Sequence, residues 1–389
     1  QGALVDAVRK AYELARRTPP TEGWPGFASP DDYCAPVDVP RYVPATAAFS
    51  AKDRAAELAS AFGLAKGASA RLAGLFETSD LAAAVVNTEG VVRHACTTLA
   101  TCKFYALDAA GVSGFAQCTD RDVGALSVRT VAMQAIAKCL AAKDPVPIDG
   151  GEYDVVLEPT AVAELLEWLA MTAFSARAVQ EGTSPLAGRV GEMITGPRVT
   201  LVDDATDPSS WGFGLPFDRD GVPRQRVVLV ERGVARGPVY DLLHAARAGV
   251  RSTGHAAPPG SDVGDAPVAS SVSMEGGDET LDTLMGRVDR GLYVTRFHYV
   301  NGLLEPRRAV MTGMTRDGTF LLEDGVRTRG VKNLRFTDSI LEAFARIDGV
   351  GVRREAVTTW WSEAGAFVAP ALLIRGLRFT SGSAPDPDV

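Results

Sequence analysis

The stretch Gly291-Leu-Tyr-Val-Thr-Arg-Phe-His-Tyr-Val300 is dense in aromatic and β-branched residues and holds no proline, so it predicts an extended strand. A side-chain period of two puts Tyr293, Phe297 and Tyr299 on one face and Arg296 and His298 on the other. Such two-sidedness suits a strand lining a groove, and it equally suits a core aromatic row. Downstream, Arg316-Asp317-Gly318 and Glu323-Asp324-Gly325 read as tight turns between alternating runs, with a last helix over residues 340–347. Just upstream, residues 281–288 read as a helix. The Gly-, Pro-, Ser- and Asp-rich stretch 258–277 reads as an exposed, mobile loop.

Further back, a strand over residues 153–157 runs into Glu158-Pro159. Apolar Val162, Leu165, Leu166, Leu169 and Phe174 then recur at helical spacing, so a long helix is expected from Pro159. Residues 226–230 and 234–240 flank Arg232-Gly233 as a hairpin. The first part of the chain reads as a helix over residues 1–18, a Pro-rich connector, and a second helix capped by Ser50 with Asp53. Short strands over 71–76, 81–86, 91–100 and 112–117 follow, with Asn87-Thr88-Glu89-Gly90 as a turn, and then a helix over 123–142. The expected fold class is α+β. An N-terminal mixed α/β domain, residues 1–148, is expected to be truncated at its start, and a C-terminal β-rich domain with antiparallel sheets covers residues 149–389.

Composition excludes several function classes. With 40 Lys and Arg against 48 Asp and Glu the net charge is -8, which disfavours nucleic acid and anionic membranes as partners. No apolar run is long enough for a membrane span. Cys34, Cys96, Cys102, Cys118 and Cys139 are odd in number and lack CxxC spacing, as expected for thiols in a reducing, cytoplasmic setting.

A zinc-protease helix needs two imidazoles one turn apart beside a glutamate. The four histidines, His94, His244, His255 and His298, include no such pair. His94 and Cys96 lack the glutamate and cysteine pair of a deaminase site, and serine-nucleophile and phosphate-loop motifs are missing too. Glu164 and Glu167 share one helix side and are weak acid–base candidates, although a solvated face is the expected outcome. His255, ahead of the loop, and Arg296 and Tyr299 on the strand are the candidate groove-lining residues. Three function classes stay open: a subunit of a larger enzyme, a stand-alone peptide or metabolite binding module, and an independent non-metal hydrolase using Glu164, Glu167 or Cys118.

Several motifs taken together narrow this choice. Gly291 to Val300, Glu305-Pro-Arg307, Thr312 to Phe320, Glu323-Asp-Gly325 and Lys332-Asn-Leu-Arg-Phe336 resemble the TldD/PmbA family, in particular its actinobacterial-type members. So do Tyr153 to Pro159, Gly214-Leu-Pro-Phe-Asp218, Gly221-Val-Pro223, Val230-Glu-Arg-Gly233 and Val239-Tyr-Asp241. The resemblance places most of the family's N-terminal sheet region before Gln1. It implies a cytoplasmic metalloprotease built from a zinc-bearing TldD subunit and a related TldE (PmbA) subunit. Such a heterodimer acts on extended peptides or, in natural-product biosynthesis, on amide and thiol conjugates. TldD carries H-E-x-x-x-H on the helix that follows Pro159 here. The resemblance sets Glu167 at the first His, Trp168 at the Glu and Thr172 at the second His. It thus implies a metal-free, TldE-like chain with no cofactor of its own, whose zinc sits on the partner.

Overall fold

A computed structural model describes residues 2–207, 214–258, 260–261, 264–359 and 366–382. From the N-terminus come helices α1 (Gly2–Ala15), α2 (Pro44–Ala47) and α3 (Ala51–Gly67). The Ser50 side chain accepts the Asp53 amide while the Asp53 carboxylate accepts the Ser50 amide, the reciprocal cap expected from sequence. Strands β1 (Arg71–Val86), β2 (Val92–Leu107) and β3 (Ser113–Asp120) and helix α4 (Val128–Ala141) complete this part.

β1 and β2 pair without interruption from Arg71↔Leu107 to Val86↔Val92. The separate strands expected over 71–76 and 81–86 are therefore one, because β2 supplies partners for the polar residues between them. On one face of this sheet Phe76, Cys102, Phe104 and Ala116 pack on Ala61 and Ala65 of α3 and Val131, Ala135 and Cys139 of α4. A Cβ at Gly114 would stand 2.3 Å from the Ala135 carbonyl, so glycine there lets α4 lie this close.

The remainder begins with β4 (Gly151–Leu157), α5 (Pro159–Thr172), α6 (Ala176–Gln180), β5 (Leu201–Asp203), β6 (Val227–Glu231) and β7 (Val234–Ala235). Next come α7 (Leu242–Ala248), β8 (Val272–Met274), α8 (Leu281–Gly286), β9 (Arg290–Glu305), β10 (Val310–Glu323) and β11 (Val326–Gly330). The last elements are β12 (Leu334–Ser339), α9 (Ile340–Ala345), β13 (Ile347–Val357) and β14 (Phe367–Gly382). They form a second sheet ordered β11-β10-β9-β4-β14-β8-β5-β6-β7, with β12 on β10 and β14, and β13 on β14. Most neighbours are antiparallel, but β4 runs parallel to β9 and β14 parallel to β8, so the sheet is mixed. Helix α5 packs on β9 and β14, and its side chains are buried almost throughout. The expected α+β class and β-rich second part match this architecture.

Three local expectations need correction. Within the stretch 258–277, residues 259 and 262–263 lie outside the described residues, while Val272–Met274 form a buried interior strand rather than loop. Arg316-Asp317-Gly318 is not a hairpin turn. It is an irregularity inside β10, where Asp317 (φ 56°) and Gly318 (φ 122°) absorb a shift in pairing. The alternation along β9 also breaks at Tyr299. The register moves from His298↔Met314 to Asn301↔Thr312, so Tyr299 and Val300 together oppose Gly313. Tyr299 takes φ 53° and points to solvent at 82% exposure, whereas Tyr293 and Phe297 are core.

Candidate functional site

Between the three-stranded sheet and the large sheet lies a groove of about 1080 Å³. One wall is β1, which among the described residues pairs with β2 on one side only. Leu75, Glu77 and Ser79 reach the groove as alternate residues, but Asp80 to Val86 line it consecutively. Successive side chains of a strand point to opposite faces, so a consecutive lining means that the strand meets the groove edge-on. An edge of this kind offers a ladder of backbone donors and acceptors to an extended chain.

The floor is polar and tightly bonded. Glu167 on α5 reaches the groove beside Ala170 and Met171 and accepts a hydrogen bond from the Thr359 hydroxyl at 2.5 Å. Lys103 on β2 also lines it and donates to the Thr358 carbonyl at 2.5 Å. Behind this floor Glu164 is 3.7 Å from Arg296, which is itself 3.6 Å from Asp317 and donates to the Tyr105 hydroxyl at 2.8 Å. The Arg296 guanidinium also lies over the rings of Tyr105 and Phe115, joining β9 to the three-stranded sheet.

Burial raises the Glu164 carboxyl from its ordinary 4.5 to about 7, against the opposing pull of Arg296 and Lys103. Burial likewise lowers the Lys103 ammonium from 10.5 to about 8, with Glu164 opposing. A raised carboxyl stabilises fully below its unfolded value, and that contribution is lost as pH rises through about 7. A lowered ammonium stabilises fully above 10.5, and that contribution is lost as pH falls through about 8. Urea titrations of the wild type are therefore expected to show stability falling from pH 5 to pH 7. Glu164→Gln should flatten that slope by about 2–3 kcal/mol; an unchanged slope would remove Glu164 as its source.

The expected site residues are spread over distinct places. Glu167 is at the groove, whereas Glu164 lies beneath it, and both are buried rather than forming the solvated face expected of them. Helix α5 packs on β9 and β14, and Lys103 of the three-stranded sheet lies near both glutamates. Trp168 packs against Gly302, and the Thr172 hydroxyl is spent on the Trp168 carbonyl at 2.6 Å. An indole and a hydroxyl so engaged do not fit a zinc ligand set, and no cluster of three His, Cys, Asp or Glu suited to a metal occurs among the described residues. Arg296 is 5% exposed in the network below the floor, and Tyr299 stands at the surface bulge.

His255 is fully buried behind the opposite wall, with Nε2 donating to Asp203 Oδ1 at 2.9 Å and Nδ1 2.9 Å from the Thr253 hydroxyl. Burial and the Arg224 cation push this imidazole down, against the opposing pull of Asp203 and of the Thr253 carbonyl 2.8 Å from Nδ1. Burial alone would raise Asp203, but His255 and Arg224 outweigh it and hold the carboxyl well below the usual range. Asp203, Arg224, Lys103 and Thr359 carry no local sequence motif. Their partners lie tens of residues away in the chain, and only the tertiary fold assembles them.

Comparison with known proteins agrees with this fold and places the chain in a family. A Methanothermobacter thermautotrophicus protein named Metalloprotease is 28% identical over 244 residues, 62% of this chain and 51% of that protein. A Haemophilus influenzae protein named Metalloprotease TldD homolog is 26% identical over 245 residues, 63% of this chain and 49% of that one. The chain thus spans about half the length of the curated relatives it matches. The crystal structure of TldE from Thermococcus kodakarensis shares the fold at a TM-score of 0.85, with 24% identity over 96% of this chain and 84% of that one. Residues 150–381, more than half of the chain, match the family described as the PmbA/TldA metallopeptidase C-terminal domain, and the chain belongs to that PmbA/TldD family.

Proposed function

We infer that this chain is a metal-free, TldE-like subunit that completes the substrate groove of a zinc-bearing, TldD-like partner. The observation that carries this reading is the helix under the groove. At the three positions where the family resemblance sets a metal site, Glu167 alone faces the groove, and it is engaged by Thr359. Trp168 and Thr172 are turned into packing and backbone hydrogen bonding. The chain contributes an edge and a polar floor, and the hydrolytic step belongs to the partner. The free edge of β1 supports an extended peptide, or an amide or thiol conjugate with a peptide-like backbone, as the ligand. The two parts, 1–148 and 149–389, act as the two walls.

The same reading places the complex in the cytoplasm, where the five free thiols stay reduced. Among the described residues no helix is long and apolar enough to cross a membrane. The purified chain is expected to hold far less than one zinc per molecule after dialysis, measured by atomic emission. A stoichiometric, chelator-resistant zinc on the isolated chain would overturn the reading.

A further inference from the structure

Lys103 brings a nucleophilic nitrogen to the groove. It lines the groove on the same sheet face as its cross-strand partner Leu75. Among the described residues it forms no ion pair, and its Nζ donates to one acceptor, the Thr358 carbonyl, at 2.5 Å. A carboxylate at that distance would fix the nitrogen as ammonium. A carbonyl does not, because a neutral amine still donates one N–H to it and keeps its lone pair for another use. No cysteine or histidine lines the groove among the described residues, so no thiol or imidazole competes with this amine there.

The charges that act on Lys103 come from three elements: Glu164 and Glu167 on α5, Arg296 on β9 and Glu77 on β1. The three carboxylates favour the ammonium, whereas burial and Arg296 favour the amine. Burial is the strongest of these influences and brings the group from 10.5 to about 8. At pH 7 about a tenth of the nitrogen is then neutral, against less than about a thousandth for an ordinary lysine. Desolvation of this kind, beside another cation, is a recognised way of making lysine a nucleophile toward carbonyl compounds. Glu77 and Glu167 line the groove too, and they repel an anionic reactant. Leu75, Ala170 and Met171 add apolar lining, which also suits an uncharged electrophile.

We propose that Lys103 is a covalent capture site for an aldehyde or ketone carried by a chain lying in the groove. Its nitrogen bonds to the carbonyl carbon, the oxygen leaves as water with two of the three ammonium protons, and a protonated imine remains. The inference rests on the groove being the ligand site and adds a reactive group to it. To test it, the full chain is incubated with an acetylated tripeptide aldehyde and cyanoborohydride, which reduces the imine to a stable secondary amine. Labelled lysines are then mapped by mass spectrometry. Lys103 is expected to react about 10–100-fold faster than the exposed Lys10 and Lys52 of the same molecules. Its rate should rise with pH and level off above about 8. All three lysines are read in one wild-type sample, so no variant has to fold. Propanal, which has no chain to lie in the groove, should show a smaller preference for Lys103. Labelling of Lys103 no faster than of Lys10 and Lys52 overturns the capture site. An equal preference with propanal overturns the delivery of the carbonyl by a chain in the groove. Neither result bears on zinc content or on cleavage with a partner, so failure here is distinguishable from failure of the proposed function.

Discussion

Replacing Arg296 by methionine is expected to cost about 3–5 kcal/mol of folding free energy, the range for removing one partner of a buried ion cluster. Methionine keeps much of the apolar contact with Phe115 and Tyr105 but leaves Glu164 and Asp317 without their shared cation. Asp317 is the more exposed to this loss in energetic terms, because its Oδ2 is buried and has no hydrogen bond. Glu164 can take up a proton near neutrality, which moderates its share. Arg296→Lys should fall between wild type and Arg296→Met, since a point charge cannot both stack and bridge. Urea unfolding followed by tryptophan fluorescence measures this. A loss below about 1 kcal/mol for Arg296→Met would contradict the buried-cluster reading.

The second large effect concerns the β1 edge. If a ligand pairs with β1 through its backbone, then methylating alternate ligand amides on the paired side removes two or three hydrogen bonds. At about 1 kcal/mol each, binding should weaken roughly 30–100-fold. Methylating the intervening amides, which would face away from β1, should change affinity less than about threefold when both sets are compared by fluorescence-anisotropy titration of a labelled peptide. Equal losses from both sets would show that side chains and not the strand edge hold the ligand.

Much of the fold was legible locally, and the reasons are particular. The Ser50–Asp53 cap, the turn ending at Gly90 and the helix after Pro159 depend on short-range chemistry that the sequence states outright. Tyr299 was not legible, because nothing in a tyrosine announces a left-handed bulge; the register of β9 on β10 imposes it. Nor was the burial of Glu164 and Glu167. Their spacing reads as a polar helix face, and only the sheet brought over α5 by residues 71–120 turns that face inward. Lys103 sits in an ordinary-looking strand. Its meaning comes from Thr358, 255 residues away in the chain, and from the two glutamates of α5. The family motifs located α5 under the site, while the Asp203–His255–Arg224 cluster is assembled only by the tertiary fold.

On the proposed function, this chain completes a groove for a metal held elsewhere. Its most direct test is reconstitution with a co-expressed, zinc-bearing TldD-like chain, assayed on an unstructured peptide with each chain alone as control. The expected result is cleavage by the pair, abolished by chelator and restored by zinc, with no turnover by this chain alone. Chelator-insensitive cleavage by this chain in the absence of any partner would contradict it.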